Sequence, residues 1–356
     1  MEQNKHIAIV GAGLSGLTLA YLLYQENISF TILEASPRIG GRIQTMKGIN
    51  GTPLELGATW FSDSHSYLNA LLNELDLEKF IQYTEGKSII QTHPSLPPEE
   101  FIVPNSESPS YRIADGTQSI INTLQAKIDE KQIILNSKII SIQESENKMI
   151  LESSTGDKYT TDLVVLCIPP QIVHSSISFT PELETSITDL LPNVQTWMAG
   201  SIKFALEYSE AFWRKKGYSG MIFSQSGIVA EMYDHTNFDE NRFGFTGFLN
   251  NGSKQYNHET RKSIVLDQLK QLLGEQAASP LSYHDKVWDD EFILDGNHII
   301  GFPHENNGNQ LLQKNYMNNK LFFSATESSI AYSGYMEGAI RSAHSIYMRI
   351  TKLKIS

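Results

Sequence analysis

Gly11, Gly13 and Gly16 stand in the spacing G-x-G-x-x-G, and Glu34 closes the next apolar run. Glycines so spaced turn the backbone sharply, let it approach a pyrophosphate and bring a helix against a strand. Leu14 and Ser15 open that helix, so free amides and the positive helix end face the phosphates. Glu34, followed by Ala35, sits where an acid meets the hydroxyls of an adenosine ribose. A second glycine turn, Gly40-Gly41-Arg42, offers a guanidinium able to hold a diphosphate through two hydrogen bonds. Alone, a glycine triplet also serves plain turns, and Arg42 would read as a solvated surface residue. In register, these residues read as a dinucleotide cradle, and the second turn argues for FAD over NAD.

The elements that must hold this chemistry are legible around it. Residues 6–10 read as a short buried strand, and residues 30–33 as the next. Between them Leu14, Leu17, Ala20, Tyr21 and Tyr24 recur at helical spacing. Near the end of the chain, residues 320–324 predict a strand, and a helix starts near Tyr335 after Gly334. Ile340, Ala343, Tyr347 and Ile350 fall along its apolar stripe. Gly338 and Ala339 leave room for something flat near the helix start, whose positive end would stabilise an anionic ring.

Further segments carry a resemblance. Leu54-Glu55-Leu56-Gly57-Ala58-Thr59-Trp60, the stretch 111–116, the apolar run 163–168 before Pro169-Pro170, and Phe322-Phe323-Ser324-Ala325-Thr326-Glu327 with Ser333-Gly334-Tyr335-Met336-Glu337-Gly338-Ala339 follow one another in order. In that order and spacing the chain resembles the flavin-containing amine oxidase family, which includes monoamine and polyamine oxidases. The resemblance implies an α/β fold: a Rossmann-like FAD-binding domain interleaved with a smaller substrate domain of mixed sheet plus helices. The FAD-binding domain would take residues 1–66, 111–192 and 297–356, and the substrate domain 67–110 and 193–296. It also implies that Gly57, Ala58, Thr59 and Trp60 lie beside the flavin ring, and that Ile139, Tyr335 and Met336 touch the cofactor. Glu327 would reach the ribityl or diphosphate region. The first piece of the substrate domain is short for the family, which points to a wider active site. Residues 96–109, rich in proline and acids, read as a loop between domains.

The catalytic question turns on Lys203. Residues 199–208 alternate as a strand, with Ile202, Phe204, Leu206 and Tyr208 on one face and Lys203, Ala205 and Glu207 on the other. On periodicity alone, Lys203 is the charged outer face of a half-buried strand. The resemblance implies instead a lysine that holds a water against flavin N5, its pKa lowered by desolvation. Tyr335 matches one wall of the family's aromatic cage around the amine. Counting back from Phe302-Pro303, the other wall falls on His298, and Asn297 stands where members with covalent flavin carry cysteine. FAD is therefore expected to be noncovalent. His298 is a candidate substrate contact or base, and equally a surface histidine.

The chain has 356 residues, enough for two domains, with 28 Lys and Arg against 40 Asp and Glu and a formal charge of -12. No basic cluster is large enough for nucleic acid or anionic membrane. Cys167, the one cysteine, lies in an apolar strand and reads as core. The first apolar stretch is broken by the glycine loop, so it is neither signal peptide nor span. The basic tail ending at Ser356 leaves no room for the membrane helix of some relatives. These features fit a soluble cytoplasmic enzyme whose partners are a small amine and oxygen, giving an imine and hydrogen peroxide. Dehydrogenation or isomerisation at a C–C bond is the alternative chemistry, and a flavin-binding interaction protein without turnover the third reading. Oligomeric state leaves no mark in the pattern.

Overall fold

The computed structural model describes residues 5–104, 106–290, 292 and 302–352. Its first layer is a five-stranded sheet in the order 321–323, 163–166, 7–10, 30–33, 133–134. Every pairing in it is parallel. Ile7–Val10 and Leu163–Leu166 are apolar and buried throughout, as a sheet covered on both faces requires. The pleat divides their side chains cleanly. Ile7, Ile9, Leu163, Val165 and Phe322 join the core beneath the helices Leu14–Gln25, Gln118–Ala126 and Met336–Lys352. Ala8, Val10, Val164, Leu166, Leu321 and Phe323 face the opposite way. There they meet Ile142, Met149 and Leu151 of a four-stranded sheet.

Strand Phe30–Leu33 and the helix Leu14–Gln25 fall where the sequence put them, although Tyr24 is 46% exposed and leaves the apolar stripe. The last helix runs over Met336–Lys352, with Ile340, Ala343 and Ile350 buried. Ile346 is buried beside the half-buried Tyr347 and carries the stripe at that turn.

A seven-stranded mixed sheet forms the other large layer, in the order 282–287, 202–208, 243–249, 229–234, 218–224, 87–91, 99–102. Its apolar face packs around Phe204, Trp213, Met232, Phe245 and the helix His258–Leu273. Two expectations fail here. Glu99–Ile102, assigned to a loop, is an edge strand antiparallel to Lys87–Gln91. Its glutamates face solvent, so it lacks the apolar alternation that marks a strand, and exposed edges favour such charges. The supposed outer face of Ile202–Tyr208 is buried along its whole length. Ala205 packs against Leu54 and Leu56, and Glu207 accepts hydrogen bonds from the Asn50 and Thr52 amides and the Thr52 hydroxyl. A segment distant in sequence covers that face, so periodicity alone read it as open to water.

Helix and strand meet most closely at Gly16, where an added Cβ would lie 2.0 Å from the Gly11 carbonyl oxygen. Gly16→Ala is therefore expected to cost about 1–3 kcal/mol through forced separation of the two elements. Urea unfolding of the variant beside the unaltered protein measures it.

Candidate active site

One cavity of about 620 Å³ runs from the glycine loop to Lys203, within the range of small-molecule sites. Its first end lies at the carboxyl ends of the parallel strands, where ligands bind in open α/β sheets. Gly11, Gly13, Leu14 and Ser15 line it there, with Glu34 and Ala35 across from them and Ile139 beyond. The helix Leu14–Gln25 starts without a side-chain cap at Gly13, so its first amides need partners from outside the helix. An added Cβ on Gly13 would meet nothing within 4 Å, which leaves open space against the loop. Glu34 accepts from the Ala12 amide at 2.7 Å and the Ser36 amide at 2.9 Å, fixing its carboxylate beside the loop. Orphaned donors, an acid and free space fit the phosphates and ribose of a dinucleotide. Gly16 lies outside the cavity lining and serves the contact between helix and strand.

Gly41, Arg42, Gly57, Ala58, Thr59 and Trp60 form the middle of the cavity. Arg42 directs its guanidinium fork at Glu327, at 2.7 and 3.1 Å. Glu327 is fully buried and outside the lining, so Arg42 stands between it and the cavity. Nη1 also donates to the Trp197 carbonyl at 3.4 Å, and the N–H groups left over could serve a diphosphate. Arg38, which sequence reasoning missed, donates to the carbonyls of Ile39, Gly41 and Ile43 and ties down the second glycine turn. Burial lowers its pKa, and Glu34 opposes that shift.

Lys203 lies at the far end and is 2% exposed. Its Nζ donates to the Gly57 carbonyl at 2.6 Å and to the Thr59 hydroxyl. The Trp60 ring lies 4.9 Å from the same nitrogen. Burial pushes the amine down from its ordinary 10.5 to about 7, against the pull of Glu55 and Glu231. Glu55, itself buried, moves up by desolvation, with Lys203 acting to lower it. Next to it His235 is held well below the usual histidine range by burial and by Arg112 and Lys203. It is a neutral imidazole at pH 7.

Tyr335, Met336 and Trp197 also line the cavity. His304 stacks on Trp197 at 4.2 Å and on Tyr335 at 5.5 Å, and Trp197 lies 6.2 Å from Tyr335. His298 and Asn297 lie outside the described residues. Sequence reasoning also missed Glu231, Tyr233 and Phe248, which face the cavity from neighbouring strands. Alternation in Val229–Asp234 would have put Glu231 and Tyr233 on one face, but not which face. Among the described residues no helix is long and apolar enough to cross a membrane, and no three His, Cys, Asp or Glu gather as metal ligands.

The family model described as flavin containing amine oxidoreductase matches residues 14–95 and 95–346. The chain belongs to that family. It is a flavin-dependent oxidoreductase acting on amines, and FAD is its cofactor. A probable flavin-containing monoamine oxidase A of Dictyostelium discoideum is 24% identical, covering 97% of each chain. The alignment spans 452 positions against the 356 residues of this chain, so the relative carries insertions absent here. Amine oxidase [flavin-containing] A of Sus scrofa is 23% identical over 94% of this chain and 82% of its own. Among solved structures, a putrescine oxidase variant has a TM-score of 0.83 at 21% identity, covering 98% of this chain and 99% of its own. Cyclohexylamine oxidase from Brevibacterium oxydans has 0.83 at 20%, covering 99% and 100%. These likenesses establish the fold.

Arg42→Ala would leave Glu327 a buried carboxylate without its cation. A loss of about 3 kcal/mol is expected, read from urea unfolding.

Proposed function

We propose that the protein oxidises a neutral amine at the carbon next to nitrogen, giving an imine and hydrogen peroxide from oxygen. The observation that carries this reading is Lys203: a buried amine at the cavity end, fixed by Gly57 and Thr59. Bound FAD supplies the two-electron acceptor for the carbon–hydrogen bond, chemistry that belongs to the cofactor. The residues of the chain orient, exclude water and tune charge. Gly11, Gly13 and the amides of Leu14 and Ser15 would receive the diphosphate, Glu34 the ribose, and Gly57 to Trp60 the ring. Residues 1–66, 111–192 and 297–356 make up the cofactor domain in this reading, and 67–110 with 193–296 the substrate domain.

Tyr335 is one aromatic wall for the amine, and Trp197, held by the stacked His304, is the partner wall. Aromatic faces would attract the arriving ammonium form before it gives up its proton. Lys203 spends two donors on Gly57 and Thr59, and a third N–H or its lone pair remains for a water or for oxygen. Attachment of FAD is noncovalent. Cys167 lies under the glycine loop, its carbonyl 3.0 Å from an added Cβ on Gly11, and burial pushes its thiol up to about 12. Such a thiol is not a nucleophile at neutral pH.

Anaerobic addition of small amines is expected to bleach the visible flavin band, and air to restore it with release of peroxide. Colour that persists with every amine tested would refute the reading. Lys203→Met is expected to slow reoxidation at least tenfold while FAD stays bound; equal loss of colour and activity would mark the lysine as structural. Lys203 is protonated below about 7 and neutral above it. The reoxidation rate of the unaltered enzyme should therefore change through that pH, and the rate of Lys203→Met should not. Amine oxidation itself should fall on acidification as the substrate, with an ordinary alkylammonium pKa near 10, becomes protonated. A flat profile there would count against attack on the neutral amine.

A further inference from the structure

We infer that the pocket between the helices Leu14–Gln25, Ser66–Glu74 and Met336–Lys352 is a second ligand site, fitted to a small planar cation that carries N–H donors. It stands apart from amine oxidation, because its lining shares no residue with the cavity that runs to Lys203. The pocket holds about 270 Å³, room for a single ring with a small head group. Leu22, Ala70 and Leu71 give it apolar walls, and Thr18, Glu74 and His344 bring polar atoms to it.

All three polar groups offer acceptors. Thr18 is fully buried, and its hydroxyl has no hydrogen-bond partner. Such a hydroxyl costs free energy that a ligand bonded to it would recover. Glu74 takes the Tyr21 hydroxyl at 2.8 Å and the Gln25 amide at 3.0 Å on one oxygen. These bonds fix the carboxylate and leave its second oxygen over. Among the described residues Glu74 forms no ion pair within 4 Å. Burial lowers the pKa of His344, and Glu74 acts to raise it. The imidazole is therefore mostly neutral at pH 7, and its nitrogens have no hydrogen-bond partner among the described residues. Tyr67 closes the pocket, edge-on to His344 at 5.1 Å. Arg341 lies 4.6 Å from the Tyr67 ring, but its charge is met by Glu337 at 2.6 Å. A cation with several N–H groups would meet a carboxylate, an imidazole nitrogen and a hydroxyl here. Its flat body would lie against Tyr67. An anion would find the same carboxylate unpaired.

Benzamidine tests this without being oxidised, since its flat amidinium has no hydrogen on the carbon beside nitrogen. Calorimetric titration of the holoenzyme is expected to show binding at this site, weakened at least about tenfold in Glu74→Gln by loss of a charged hydrogen bond. Glutamine keeps an acceptor for Tyr21, so the packing of the helices is retained. Ala70 is exposed, and Ala70→Phe should fill the pocket and remove one equivalent of binding. Both variants should oxidise small amines as the unaltered enzyme does. Benzoate, of the same shape and opposite charge, should not bind. No binding at millimolar benzamidine, or affinity and stoichiometry unchanged in both variants, would overturn the site. Loss of amine oxidation together with binding would overturn its separateness from the active cavity, and equal binding of benzoate its preference for a cation.

Discussion

The contact between the helix Leu14–Gln25 and the strand Ile7–Val10 governs the rest of the molecule. Gly11 adopts φ +104°, and Gly16 leaves no atom between the helix and the Gly11 carbonyl. With those two residues the helix starts at the carboxyl end of the strand with its first amides facing the cavity. Glu34, at the end of the neighbouring strand, then accepts from the Ala12 amide and closes the loop. The second glycine turn is joined to the same loop by the Gly40 amide, which donates to the Ala12 carbonyl. Every later feature of the cofactor end takes its position from this one close approach.

The opposite end of the cavity is organised by charge rather than by backbone. Lys203, Glu55, Arg112 and His235 are all buried there. Burial favours the neutral forms of the lysine and the acid, and their mutual attraction favours the charged ones. The result is an amine balanced near neutrality instead of a fixed cation. Glu55 is anchored by Thr45 and the Thr117 amide, so the balance is struck by residues from three distant parts of the chain. Such a group can hold or release a proton with little change of structure.

How much of this could be read in advance depended on whether the information was local. The strand Phe30–Leu33, the glycine spacing and Glu34 are local patterns and were fully legible. Gly57, Thr59 and Trp60 were legible by resemblance of a contiguous motif. The burial of Lys203 was legible through the resemblance but not from periodicity, because it follows from Leu54 to Leu56 packing over a strand more than a hundred residues later. Arg38 was missed because its role is to bond three nearby carbonyls, which no spacing announces. Glu231 was missed because cross-strand register is a property of the sheet. Trp197 and His304 likewise meet only through folding. The strand Glu99–Ile102 was hidden by its own charges, since its edge position removes the need for an apolar face.

Both sheets are completed by segments far apart along the chain. Lys87–Gln91 pairs in parallel with Tyr218–Ser224, and Leu163–Leu166 with Leu321–Phe323. The helices Leu14–Gln25 and Met336–Lys352 share one core. During synthesis neither sheet can close until its late strands emerge from the ribosome, so the early apolar strands must wait exposed. Contacts of such long range make folding slow and raise the risk of aggregation on the way. The same interleaving that lets one cavity draw on both layers therefore places a kinetic burden on making the molecule, one that assistance from chaperones would relieve.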